Sequence, residues 1–244
     1  MAFEIADYTI AVVGNHSIFP YLQVLHGSLR HIRYKKLIIC DCGLLEDEKR
    51  KLKGAEFYDS PVKFYEDNIR VQSETYKKLI AQRPKFILDL CKTEDHILCL
   101  DADTLVSHND FSLLQPEYDL TLTHTHAEWD LKETRPYINL GVMFFNNPKN
   151  CVSLIERWIK QTESPNLPNQ HFEQGNFIDT VNGGEYVPFT MQWVHCKHFN
   201  CFHKDWLRFI PTIIHFRNGG TVRLSGMNDK RSKEMDTNPG ENDA

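Results

Sequence analysis

ILCLDADTLV, residues 97 to 106, decides the fold. Ile97 to Leu100 have the length and composition of a short buried strand, and two carboxylates, Asp101 and Asp103, follow directly. In open α/β sheets ligands bind beyond the carboxyl ends of strands, so this D-x-D marks a site. Neighbouring carboxylates raise each other's pKa, and a divalent cation relieves that repulsion. Oxygen ligands from few protein groups suit Mg²⁺ or Mn²⁺ held partly through phosphates. The plain alternative is a polar strand end facing water; the apolar residues on both sides favour the metal.

Working outward, the first half of the chain alternates between strand and helix patterns. Tyr8 to Val13 is a β-branched run closed by Gly14-Asn15, and Tyr21, Leu22, Leu25, Leu29 and Ile32 then recur at helical spacing. Leu37 to Cys40 is a second strand, stopped by Asp41-Cys42-Gly43. Glu46 to Lys53 is a charged surface helix, and Ala55 to Tyr58 a third strand. Residues from about Ser73 to Cys91 are helical in pattern, with Pro84 at a break or in the first turn of a second segment. This rhythm predicts an α/β fold: a mostly parallel, Rossmann-like sheet with helices on both faces.

The second half departs from it. Leu120 to Thr123 and Ile138 to Phe145 read as strands separated by polar, proline-containing sequence. Helices are expected over Asn150 to Gln161 and Gln170 to Val181, and a last strand over Thr212 to Phe216. Leu122 to Asn139, with His124, His126, Asp130 and Pro136, has no periodic apolar face and is a candidate lid or acceptor-contact loop. No repeat or linker interrupts the chain. The expected organisation is one domain over 1–222, with a nucleotide-binding half to about residue 106, an acceptor half from 107, and a polar, disordered tail over 223–244.

The net charge of -5 comes from acids and bases scattered along the chain, which excludes a basic face for nucleic acid. No leader and no apolar run near 18 residues is visible, so no transmembrane segment is expected. Seven cysteines form an odd, scattered set, which points to a reducing, cytoplasmic setting.

With these motifs in place, the chain resembles the GT-A fold glycosyltransferases, especially the family 8-like retaining enzymes, over roughly residues 7 to 220. The resemblance implies transfer of a sugar from a nucleotide diphosphate, a UDP-sugar being favoured, to a saccharide or glycoprotein acceptor. It implies Mn²⁺ (or Mg²⁺) bound by Asp101 and Asp103, with His215 of IIHFRNGG (213–220) as third ligand. INLGVMFFNNP (138–148) is similar to the Asn-x-Gly strand beside the donor sugar, carried by Asn139 and Gly141. HFEQGNF (171–177) is similar to the acidic-Gln motif, carried by Glu173 and Gln174, and RPKFILDL (83–90) supplies Lys85 facing the donor. The nucleotide would then lie against Val13, Gly14, Asn15, Asp41, Leu100 and Ala102, with Gly219 near its diphosphate. For Asp41 a ribose contact and a turn role before Gly43 stand level.

Two departures matter. Gly219-Gly220 is followed by Thr221-Val222-Arg223 where the family has Lys-Pro-Trp, so Arg223 or Arg217 takes over the diphosphate contact or the contact is absent. The acid before Gln174 is Glu173 rather than Asp, which leaves inversion, with Glu173 or Asp130 as general base, as the alternative outcome. His195, Cys196, His198, Cys201 and His203 have a zinc-like composition but no C-x-x-C pair. Interleaved aromatics make packing or an acceptor-facing loop the better expectation. Haloacid-dehalogenase-type phosphatases also carry a D-x-D after a strand, but Leu105 stands where they have Thr or Val. A non-catalytic nucleotide-sugar binder on the same fold is the third class.

Overall fold

The computed structural model describes residues 5–65, 77–79, 81–125, 137–163, 172–182, 189–202 and 211–216. In chain order these form β1 (Thr9–Gly14), α1 (Phe19–Ser28), β2 (Lys36–Asp41), α2 (Glu46–Lys51), β3 (Ala55–Asp59), α3 (Gln82–Thr93), β4 (Ile97–Leu100) and β5 (Thr104–Val106). Then come β6 (Leu120–Thr125), β7 (Tyr137–Phe145), α4 (Val152–Thr162), α5 (Phe172–Asn182), β8 (Met191–His195), β9 (Cys201–Phe202) and β10 (Ile213–His215). Seven strands make one sheet in the order β3-β2-β1-β4-β7-β6-β8, and β5-β10-β9 make a second, smaller sheet. In the large sheet only β7 runs against its neighbours.

The alternation of side chains along the buried strands explains the layers. Ile10 and Val12 of β1, Leu98 and Leu100 of β4, and Val142 and Phe144 of β7 join the core around Leu22 and Leu25 of α1. Ala11, Cys99, Met143 and Phe145 face the other way, onto Phe86, Ile87 and Leu90 of α3 and Leu154, Ile155 and Trp158 of α4. Apolar strands with helices on both sides of the sheet are the expected class. The antiparallel pairing of β5 with β10 is the short addition to it.

Boundaries shift for local reasons. α1 stops at Ser28 and continues as a single 3₁₀ turn, Leu29–His31. Pro84 falls in the first turn of α3, where its missing N–H has no partner to lose. β5, β8 and β9 are absent from the sequence-level expectation. β5 and β9 have three and two residues, too few to show a period, and β8 is an edge strand with mixed composition. All seven cysteines are free thiols. Among the described residues no helix is long and apolar enough to cross a membrane.

β1 and β4 are parallel neighbours from which the chain departs in opposite directions, β2 and β3 to one side and β7 to the other. Their carboxyl ends therefore form the crevice where such sheets take ligands. One wall is the turn after β2. Asp41 Oδ1 accepts from the backbone N–H of Gly43 (2.8 Å) and Leu44 (2.7 Å), and Oδ2 pairs with Lys49 (2.8 Å) and Lys63 (3.0 Å). Gly43 has φ +120, which only glycine adopts without strain, and this lets the chain fold back so that His16 N–H reaches Gly43 O at 2.9 Å. Both carboxylate oxygens of Asp41 are engaged inside the protein, so it serves as the turn residue, and this geometry gives no support to a ribose contact.

Burial alone would raise the Asp41 pKa, but hydrogen bonds from Lys49, Leu44, Gly43 and Lys63 outweigh it and hold the carboxyl at about 2. A depressed carboxyl contributes stability above its unfolded pKa of about 3.9, and that share is lost as pH falls through the folded value. Asp41→Asn is therefore expected to lower stability at pH 7 by roughly 1–3 kcal/mol. Its urea-melt midpoint should also fall less steeply than wild type between about pH 4 and 2. An unchanged slope would remove this role.

Candidate active site

The D-x-D is a tight turn that launches a strand. Asp101 N–H donates to Gly141 O (2.9 Å), continuing the β4–β7 ladder by one bond. The Asp101 carbonyl then accepts from Thr104 N–H (3.2 Å) and Thr104 Oγ1 (2.7 Å), which closes the turn. β5 leaves it and pairs antiparallel with β10, setting Thr104 opposite His215, and Phe216 N–H donates to Asp103 O at 2.9 Å. This pairing delivers the buried imidazole of His215 to the carboxylates. Its Nε2 lies 3.2 Å from Asp103 Oδ1 and 3.5 Å from Asp101 Oδ2. One ligand atom from each of Asp101, Asp103 and His215 falls within 4.8 Å of the others.

The ring of His215 needs the glycine beside it. A Cβ on Gly141 would stand 2.5 Å from His215 Cε1 and 2.6 Å from Nδ1, so no other residue admits the imidazole there. The β6–β7 ladder jumps at the same place: Leu122 pairs with Met143, but Thr123 pairs with Asn139. The jump releases Leu140, Gly141 and Val142 from β6. Leu140 O is then open to Arg83, whose Nη2 donates to it while Nη1 pairs with Asp101 Oδ1 at 2.8 Å. Arg83 carries one positive charge against two carboxylates. With His215 neutral the group keeps a net negative charge, which suits a divalent cation. The hydroxyl pKa of Tyr21 in α1 is raised, first by burial and then by the charge of Asp103.

The other expected site residues fall in several places. Lys85 does not reach the donor side: its Nζ pairs with Glu163 beyond the end of α4 at 2.6 Å. Two helical residues turn about 200°, so Arg83 and Lys85 face apart. Arg83 shares the sheet-facing stripe of Ile87 and Leu90 at i, i+4 and i+7, and that phase is the sequence signal that separates the two. Asn139 lies beside Gly141 as expected, but its Oδ1 is committed to Gly141 N–H (2.8 Å) and Asn200 Nδ2 (2.9 Å). Val13, Gly14, Leu100 and Ala102 line the crevice ends of β1 and β4. Asn15 is fully buried, takes the Ser17 hydroxyl on Oδ1 (3.0 Å), and leaves Nδ2 without a partner among the described residues.

Gln174 stands half-buried in the first turn of α5, while the side chain of Glu173 lies outside the described residues. So do Asp130, Arg217, Gly219, Arg223 and most of the expected lid, of which Leu122 to Thr125 belong to β6 and Tyr137 to Asn139 to β7. The His/Cys-rich stretch supports packing. Phe199 stacks on Phe111 at 5.8 Å and tilts against Phe144, and His195 meets His124 edge to face. Among the described residues Asp101, Asp103 and His215 are the one group placed to share a metal ion. Sequence reasoning missed Arg83, Tyr21 and Asn200.

Comparison with known proteins follows the same lines. The family model described as nucleotide-diphospho-sugar transferase matches residues 46–233. A sequence comparison with curated proteins finds no match. Among solved structures, a galactosyltransferase, LgtC, in complex with donor and acceptor sugar analogs is similar at TM-score 0.56 and 15% identity, covering 93% of this chain and 94% of that one. A glycosyltransferase involved in glycosylation of the major capsid of PBCV-1 is similar at 0.54 and 16% identity, over 86% and 93%. GlyE of Streptococcus pneumoniae TIGR4 gives 0.59 at 16% identity, over 94% of this chain and 59% of that one. At these identities the likeness establishes the fold, which is GT-A, as expected.

Gly141→Ala is expected to push the imidazole off the carboxylates and weaken Mn²⁺ binding at least about tenfold, with roughly 1–3 kcal/mol lost from overpacking. Gly14→Ala makes an equally close contact, 2.5 Å, but with the tip of the Leu22 side chain, which can rotate away. It should leave Mn²⁺ affinity unchanged. Calorimetric titration of both variants checks the pair, and equal losses would contradict the contact described.

Proposed function

From the premise that the chain belongs to the nucleotide-diphospho-sugar transferase family and is a GT-A glycosyltransferase, we propose a finer reading of its reaction. It transfers a sugar from a UDP-sugar to a saccharide or glycoprotein hydroxyl, with Mn²⁺ or Mg²⁺ and with retention at the anomeric carbon. The observation that carries the metal part is the convergence of the Asp101–Asp103 turn and of His215, far away in the chain. Two hard oxygen donors and one imidazole, with a net negative charge, match the preferences of Mn²⁺ and tolerate Mg²⁺. Bound there, the cation neutralises charge that grows on the leaving diphosphate.

In the transfer, the bond from the anomeric carbon to the β-phosphate oxygen breaks and a bond to the acceptor oxygen forms. The acceptor's proton leaves with the nucleoside diphosphate. The chain's own residues bind and orient. Asn15 offers its buried, unpartnered Nδ2 as a donor at the end of β1, suited to a carbonyl oxygen of the base. Arg83, fixed between Leu140 O and Asp101, supplies a donor and a positive charge on the sugar side. Gln174, in the first turn of α5, would meet the sugar, and the family resemblance gives Glu173 the place beside it. The retaining outcome and the UDP preference rest on the family resemblance. A sugar acceptor is supported by the similar galactosyltransferase that was solved with sugar analogs. The division proposed is one domain over 1–222, its nucleotide-binding half ending near 106, followed by a tail.

Mn²⁺ and UDP together are expected to raise the melting temperature well beyond either alone. A ligand held at about a hundredfold over its Kd adds ~2.7 kcal/mol. GDP, CDP and ADP serve as comparators, and no shift with any of them would remove the donor-site assignment. Asp103→Asn should keep the metal-free melting temperature within a few degrees of wild type while losing the shift that Mn²⁺ adds to UDP.

A further inference from the structure

We infer that Asn200 is the positioning residue that makes His215 a metal ligand, by accepting the Nδ1 proton so that the Nε2 lone pair faces Asp101 and Asp103. The inference rests on the metal reading proposed above. It starts from a polarity that cannot be reversed. The backbone N–H of Gly141 can only donate, and it donates to Asn139 Oδ1 at 2.8 Å. The Asn139 side chain is thereby oriented with its oxygen toward Asn200, 2.9 Å away, so Asn200 must present Nδ2 there. The same Nδ2 lies 2.7 Å from Thr123 Oγ1, whose own proton goes to Asn139 O at 3.1 Å. With Nδ2 so placed, Asn200 Oδ1 points the other way, 2.6 Å from His215 Nδ1.

An amide oxygen only accepts, so His215 carries its proton on Nδ1. In the neutral ring that a metal ligand must be, Nε2 is then the acceptor nitrogen, and it is the one that stands 3.2 and 3.5 Å from the carboxylates. A chain of single-direction hydrogen bonds thus runs from a backbone amide of β7 to the ligand atom of β10. Imidazole ligands are commonly held this way through their other nitrogen, and loss of the partner typically costs 10–100-fold in metal affinity.

The backbone at Asn200 is shaped for the task. It is the one non-glycine residue among those described with positive φ, 73°, and it is fully buried. Asparagine tolerates this left-handed region better than other side chains. Its neighbours hold it there, with Phe199 packed between Phe111 and Phe144 before it and Cys201 paired with Ile214 of β10 after it.

Asn200→Gly removes the amide and keeps the backbone conformation unstrained. Titration of the full chain with Mn²⁺ in the presence of UDP should show 10–100-fold weaker metal binding than wild type, with a lower melting temperature in EDTA from the unpaired buried groups but a retained cooperative transition. Affinity within twofold of wild type would overturn the inference and leave the metal reading standing. A wild-type chain that takes up no Mn²⁺ would overturn both. Should the glycine variant not fold, ¹⁵N-histidine spectra of the wild type in EDTA, at a pH where the ring is neutral, decide the matter alone. They should show His215 protonated at Nδ1, and protonation at Nε2 instead would overturn the inference.

Discussion

Two carboxylates at the end of a fully buried strand are the constraint around which this structure is arranged. Asp101 and Asp103 follow four residues with no exposure to speak of, so their charge must be met locally or by a bound cation. The protein meets part of it with Arg83, which is itself nearly buried and fastened to Leu140 O. The remainder faces His215. Among the described residues the buried acids are met locally: Asp41 and Glu94 each by two lysines, Glu48 by His16, and Asp119 by hydrogen bonds from Asn150 and Thr190.

Bringing His215 to that point requires three features that depend on one another. The D-x-D turn must project β5, β5 must pair with β10, and β7 must give up its side-chain volume at Gly141. The break in the β6–β7 register serves the same end, since it frees Leu140 O for Arg83. Bulges beside sites commonly re-aim groups in this manner. Here the re-aimed group is a backbone carbonyl, and the glycine acts by absence of a side chain. Its conformational freedom is not used.

The polar network beneath the site gives these contacts a direction. Thr123, Asn139, Asn200 and His215 are all buried, on strands and turns far apart in the chain, and each hydrogen bond leaves one choice for the next. Buried networks of this kind specify one arrangement because the alternatives leave an unpaired donor or acceptor in low dielectric. Asn139 therefore belongs to the support of the imidazole through its Oδ1, whatever its amide nitrogen reaches. The opposite wall, built on Asp41, is equally self-contained, whereas Asn15, after the end of β1, keeps a side-chain donor without a partner among the described residues.

The sequence by itself determined the class and the place of the site. Period-two apolar runs separated by helical ones require a covered parallel sheet, and carboxylates directly after a buried strand can only emerge at its carboxyl edge. Residue type also gave no sign of a nucleic-acid partner, since acids and bases are scattered along the chain. What the tertiary structure decided was which long side chains arrive there. Arg83 and Lys85 are equally basic and two residues apart, and only the rotation of α3 against the sheet selects one of them. Asn200 sits in a stretch whose His and Cys content draws attention elsewhere, and its part depends on contacts with β6, β7 and β10. The first choice leaves a trace in helix phase, whereas the register break and the hydrogen-bond polarity are set by pairing between residues distant in the chain, so local pattern carries no record of them.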